Sequence, residues 1–137
     1  MGTICFVILN YKTWREAAAC AESILKTQQG QDIRIVLVDN GSGNGSEESL
    51  REEFAGEKRV HVIASEKNLG FARGNNLGIR YARSHFEPDF IVAANSDIIF
   101  EQEDYCEKLR EIYKEERFDI LGGDIVDASR TRHCLLY

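Results

Sequence analysis

Two short stretches carry residue types that could do chemistry: Asp39-Asn40-Gly41, which closes the apolar run IRIVLV, and Asn95-Ser96-Asp97, which closes IVAA. A carboxylate at the end of a buried strand can accept a hydrogen bond from a base N–H or a ribose hydroxyl, as an acidic residue does in dinucleotide folds. Asp39 is placed for that role, but Asp-Asn-Gly is also an ordinary turn, because Asp and Asn tolerate unusual backbone angles and bond their own amides. Asp97 offers a second chemistry. Residues two apart in an extended chain share a side, so Asn95 and Asp97 can present oxygen ligands together. Magnesium and manganese take one or two protein carboxylates and complete their shell with substrate phosphate, so one Asp and a diphosphate suffice. The alternative for Asp97 is a cap on the next segment, or a strand end in solvent.

Asn10-Tyr11 closes a first apolar run, ICFVIL, and Gly70-Phe71-Ala72-Arg73-Gly74-Asn75-Asn76 follows a third. Gly and Asn are poor helix formers, so their density at a helix start suggests close backbone approach to another group, or side-chain bonds within a site. Arg73 could pair with phosphate or simply be solvated. Gly41, Gly43 and Gly45 do not fit GxGxxG and follow the second strand, so a dinucleotide fingerprint is absent. There is no GxSxG nucleophile elbow. His61, His85 and His133 do not sit with Cys or Asp at ligand spacing, and Cys5, Cys20, Cys106 and Cys134 lack CxxC spacing. Buried free thiols are expected.

The elements that must position these residues follow from periodicity. Unbroken apolar runs at 4–9, 33–38, 60–64 and 90–94 read as strands buried on both faces, and 118–126 as a last strand containing a glycine pair. Between them, Thr13 and Glu16 have capping-box spacing ahead of a helix bearing Trp14, Ala17, Ala18, Ala21, Ile24 and Leu25. Further helices are expected after Glu47-Glu48, with Leu50 and Phe54 on one face, and over 71–84, with Leu77, Ile79 and Ala82 inward. A fourth is expected over 103–116, with Tyr105, Leu109, Ile112 and Tyr113 inward. Alternating strands and helices give an α/β fold: a mainly parallel sheet with helices on both faces. Ligands of such sheets bind outside the carboxyl ends of the strands, where Asn10, Asp39, Asn68 and Asn95 all fall.

At 137 residues the chain is expected to form a single domain, and 17 basic against 23 acidic side chains give a net charge of −6. That charge disfavours nucleic acid as a partner but not one compact anion held through a cation. Met1-Gly2-Thr3 runs straight into the first strand, so no leader is expected, and no apolar run approaches the roughly 20 residues that span a bilayer.

Four blocks, VILNYKT, IRIVLVDNGSGNGS, NLGFARGNNLGIRYA and IVAANSDIIF, stand in this order between residues 7 and 100. With them the chain resembles the N-terminal, nucleotide-binding part of family 2 glycosyltransferases, especially rhamnosyltransferase-like members. The resemblance implies a Rossmann-like GT-A nucleotide-diphospho-sugar-binding fold. It implies that Asp39 holds the base or ribose, with nucleotide contacts from Asn10, Tyr11, Asn40, Asn68, Gly70, Phe71 and Asn75. Asn95-Ser96-Asp97 corresponds to the family's DXD signature, so Asp97 becomes the main ligand of a divalent cofactor, Mg or Mn, with Asn95 and Ser96 at the donor. Two departures stand out: Asn95 replaces the first Asp of DXD, and Asn44 replaces the second Asp of DNGSxDxS, where it should affect loop hydrogen bonding more than donor binding.

The implied activity is inverting transfer of a sugar from a dTDP or UDP donor to a hydroxyl of a saccharide or lipid-linked acceptor, in polysaccharide biosynthesis. The cytoplasm is the implied location, with peripheral association at the inner face of the membrane as one option. The general base of such enzymes lies in an acceptor-binding part that these 137 residues are expected to lack. No catalytic residue is assigned, Asp124 and Asp127 included. Two other readings compete: a nucleotide- or partner-binding form without catalysis, and a sugar nucleotidyltransferase. The latter would carry a glycine-rich basic loop after the first strand, which Asn10-Tyr11-Lys12 does not provide.

Overall fold

The computed structural model describes residues 2–127 and 129, and the backbone of 132–133. The first run becomes strand β1 (Ile4–Asn10) and the second β2 (Ile33–Asp39), with β3 at Val60–Ala64 and β4 at Phe90–Asn95. Ile4 to Ile8 and Ile35 to Val38 are excluded from solvent altogether, the pattern of parallel strands covered on both faces. Helices α1 (Trp14–Thr27), α2 (Ser46–Glu53) and α3 (Phe71–Phe86) make the crossovers. The sheet order is β3-β2-β1-β4, parallel throughout. Its register pairs Asn10 with Asp39, Leu9 with Asn95 and Asp39 with Ala64, so the polar strand ends line one edge.

Side-chain alternation gives each face its own cover. Cys5, Val7, Val36 and Val38 pack with Ala82 of α3, flanked by Leu77 and Ile79. The intervening Ile4, Phe6, Ile8, Ile33, Ile35 and Leu37 are equally buried on the other face, where α1 and α2 lie against each other. Two α3 glycines make the close approach possible. A Cβ on Gly78 would stand 2.4 Å from Val7 Cγ1 and 2.7 Å from Val38 Cγ2, and one on Gly74 would stand 2.7 Å from Leu9 Cδ1. The close approach expected at Gly74 is therefore to the sheet, and Gly78 makes the same approach one turn on. Gly78→Ala should be destabilising: alanine gains about 1 kcal/mol in helix propensity, but overpacking against immobile β-branched side chains costs about 1–3 kcal/mol. A lowered urea midpoint with unchanged m is the expected result; an unchanged or raised midpoint would show that α3 can retreat.

Several expectations are corrected. Thr13 precedes α1 but makes no side-chain cap; its N–H instead donates to Asn10 Oδ1 at 3.2 Å, because Asn10 offers the nearer acceptor. The run 118–126 is not one strand. Only Ile125–Val126 (β5) is extended, pairing antiparallel with Arg132–His133 (β6) in a separate ribbon, while Ile120 is 92% exposed beside the glycine pair. Within α4 (Tyr105–Glu115), Leu109 is buried but Ile112 is exposed.

The contacts divide the chain into two compact units, Met1–Cys106 and Glu107–Tyr137, where length alone led us to expect one. The first holds the parallel sheet; the second holds most of α4 and the ribbon. Cys5, Cys20 and Cys106 are buried free thiols, and Cys134 lies outside the described residues. Among the described residues no helix is long and apolar enough to cross a membrane.

Candidate functional site

The strand-end edge is built around Asp39, which is 4% exposed. Its Oδ1 accepts hydrogen bonds from Asn10 Nδ2 at 3.0 Å and from the Ser42 hydroxyl. Ser42 Oγ in turn accepts the Lys12 N–H at 2.8 Å, which leaves the hydroxyl proton for Asp39. Asp39 Oδ2 accepts nothing from the described residues, and no buried side-chain oxygen among them is left without a partner, so Oδ2 reaches solvent. Asp39 lines a depression of about 340 Å³ together with Gly41, Gly43, Gly45, Ser65 and Glu66, among others. Gly41 adopts φ +69°, and a Cβ there would fall 2.2 Å from the Lys67 carbonyl carbon, so loop 41–45 can pass loop 65–70 only with glycine at that position.

Asn44, the second family departure, is spent on the loop. Its Oδ1 accepts from Ser46 N at 3.2 Å and from Ser46 Oγ at 2.6 Å, and its Nδ2 donates to the Lys12 carbonyl at 3.4 Å, a bond that Asp could not make.

Asn40 is 2% exposed. Its Nδ2 donates to Asn68 Oδ1 and to the Gly70 carbonyl, both at 3.2 Å. Its Oδ1 accepts from Leu69 N at 3.0 Å; Ser65 Oγ, which donates to the Lys67 carbonyl at 2.8 Å, stands 3.4 Å away. Asn10 is wholly buried, with Nδ2 on Asp39 and Oδ1 on Thr13 N. Both side chains, expected as nucleotide contacts, are closed inside the protein and turned to internal partners.

Other candidates remain open to solvent. Tyr11 is 42% exposed with Lys12 Nζ 5.2 Å from its ring centroid, and Phe71 is 68% exposed at the start of α3. Asn68 is exposed, its Oδ1 also accepting the Gly70 N–H at 2.8 Å. Gly70 has φ 84° and ψ 170°, a conformation essentially restricted to glycine. Asn75 is largely buried, its Nδ2 donating to the Phe71 carbonyl at 3.0 Å.

Beyond β4, Asn95-Ser96-Asp97 forms a turn closed by Ile98 N on the Asn95 carbonyl at 3.2 Å. Ser96 Oγ lies 3.5 Å from Thr13 Oγ1. The Asn95 and Asp97 side chains are exposed and bond to none of the described residues. The chain that follows is stapled to α1: Phe100 N donates to Ser23 Oγ at 2.9 Å, and buried Gln28 bonds the Gln102 carbonyl at 2.6 Å and Cys106 N at 3.1 Å. Burial, and then the charge of Asp97, pushes the Cys20 thiol up to about 12, so it stays protonated at neutral pH and does not compete for metal.

An unengaged carboxylate and an amide oxygen on one turn are hard ligands that fit Mg²⁺ or Mn²⁺. No group of three metal-capable side chains occurs among the described residues, so a bound ion would need further ligands such as phosphate and water. Ser42, Ser65, Ser23 and Gln28 had not been singled out from sequence. Ser42 stands in the glycine-rich loop and could have been; a buried glutamine at a helix end carries no signal.

Residues 5–133 match the family described as Glycosyl transferase family 2. Glycosyltransferase GlyG of Streptococcus pneumoniae is 33% identical over 121 residues, 88% of this chain and 38% of GlyG. Staphylococcus aureus TarS 1–349 in complex with UDP-GlcNAc superposes with a TM-score of 0.67 at 17% identity, over 82% of this chain and 31% of that one. The mannosyltransferase PcManGT of Pyrobaculum calidifontis, in complex with GDP-Man and Mn²⁺, gives 0.62 at 15% identity, over 75% and 30%. The chain thus spans well under half the length of these proteins, and the two structures establish likeness of fold.

Proposed function

The chain belongs to glycosyl transferase family 2, and from that premise we propose that its strand-end edge binds the nucleoside diphosphate of a sugar donor, dTDP- or UDP-linked, for inverting transfer to a saccharide or lipid-linked acceptor. The observation that carries the reading is the half-engaged Asp39 carboxylate on the wall of the depression: Oδ1 is fixed by Asn10 and Ser42, while Oδ2 has no partner among the described residues. An oriented acceptor there suits the imide N–H of uracil or thymine. Tyr11, which follows Asn10 at the same sheet edge, exposes an aromatic ring that could cover a base.

Across the sheet, Asp97 with Asn95 would hold a divalent ion. Such an ion supplies charge neutralisation for the departing diphosphate. Ser96, tethered through Thr13 to Asn10, sets where that turn stands relative to the base acceptor. The proton of the acceptor hydroxyl must go to a base that none of these residues provides, so the chain's own part in the reaction is donor binding and orientation. The implied setting is the cytoplasm.

Thermal unfolding tests the reading. UDP or dTDP should raise the melting temperature in Mn²⁺ or Mg²⁺ and have little effect in EDTA. Indifference to both nucleotides in either metal would overturn it. Nucleotide binding without donor turnover would favour the non-catalytic form.

A further inference from the structure

We propose that Asn40 is a positioning residue that clamps loop 65–70 and so shapes one wall of the base pocket; the inference rests on the donor-site reading. Three of the four hydrogen-bonding positions of its amide are taken by Asn68, Leu69 and Gly70, all on that loop, and Ser65 Oγ of the same loop stands 3.4 Å from the fourth. Ser65 and Glu66 line the same depression as Asp39. Asn40 also follows Asp39 directly on β2, and its N–H is anchored on the Asn10 carbonyl at 2.8 Å, so the clamp and the base acceptor share one rigid strand end.

From the opposite side α3 holds the amide in place. A Cβ on Gly74 would lie 2.9 Å from Asn40 Nδ2, so the glycine leaves room for the amide to lie flat against the helix. At 2% exposure the side chain has no surface to offer a ligand. Its effect on binding must pass through the loop, since removing the buried amide leaves three groups on that loop unsatisfied or hydrated.

The test separates a clamp from a ligand contact and from general loosening. In nucleotide-free protein, Asn40→Ala should speed hydrogen exchange of the Leu69 amide at least tenfold. UDP affinity should fall about tenfold in Mn²⁺ and in EDTA alike, so that the ratio between the two conditions stays within twofold of wild type. Asn40→Asp would turn a buried carboxylate oxygen onto Asn68 Oδ1 and the Gly70 carbonyl and should loosen the loop at least as much as alanine. Asn40→Ser, which keeps a small polar group at the strand end, provides the test if the alanine variant does not fold. Lower UDP affinity with unchanged exchange in the free protein would make Asn40 a ligand contact and overturn the proposal. So would faster exchange with unchanged affinity, or a collapsed Mn²⁺ to EDTA ratio. If wild-type protein binds neither UDP nor dTDP, the donor-site reading fails first and takes the clamp with it.

Discussion

Asp97→Ala is expected to remove the Mn²⁺-dependent part of nucleoside diphosphate binding and to leave metal-free nucleotide binding and stability nearly intact. The carboxylate is exposed and bonds to nothing among the described residues, so its removal breaks no internal contact. Surface substitutions of that kind usually fall within about 0.5 kcal/mol. Its value to a cation is different. Asp97 is the one carboxylate on its turn, beside a neutral amide, and disturbing an outer-shell partner of a metal ligand typically costs about 10–100-fold in affinity. Loss of the ligand itself should cost at least about 100-fold. Asp97→Asn keeps an oxygen but not the charge, and should fall between wild type and alanine. Calorimetric titration of UDP with and without Mn²⁺ gives the comparison; a parallel loss in both conditions would mean that Asp97 is not the metal ligand.

The four long strands and the edge that carries the site were legible in the sequence because their apolar runs end in polar residues. Asn10, Asp39 and Asn95 are those residues, and register alone brings them together. Only the central β1 and β2 are buried on both faces, while the edge strands β3 and β4 are partly exposed. What spacing does not encode is which polar group a side chain will find across the fold. Asn40 bonds Asn68, Leu69 and Gly70, far along the chain, so a residue that reads like a ligand contact turns out to be internal. Gly74 does mark close backbone approach, but a glycine does not say to what, and here it is to the sheet, as it is at Gly78. The run from Phe118 to Val126 has the composition of a strand, but Gly122-Gly123 interrupts it and only its last two residues find a partner. The capping box failed because Thr13 had a competing acceptor in Asn10, three residues back.

The largest effect expected on base recognition comes from the smallest change at the pocket, Asp39→Asn. The side chain keeps its shape, but its environment fixes which way the new amide must point. Thr13 N holds Asn10 Oδ1, which turns Asn10 Nδ2 toward position 39, and Lys12 N holds Ser42 Oγ, which turns that hydroxyl proton the same way. Two donors converge on one atom, so the variant's oxygen must face them and its NH₂ must take the place of Oδ2. The pocket then offers a donor where Oδ2 offered an acceptor, and a uracil or thymine imide N–H meets an N–H. A hydrogen bond to a charged group contributes about 1.5–3 kcal/mol, so UDP affinity should fall roughly 10- to 100-fold from the lost bond, with the donor clash adding to it. Stability should change by only about 1 kcal/mol, because both internal bonds survive with a neutral acceptor. CDP supplies the control, since cytosine presents an acceptor at the ring position where uracil presents its N–H. Wild type should favour UDP over CDP, and the variant should lose that preference chiefly through weaker UDP binding. Equal loss for both nucleotides would place Asp39 at the ribose and not at the base.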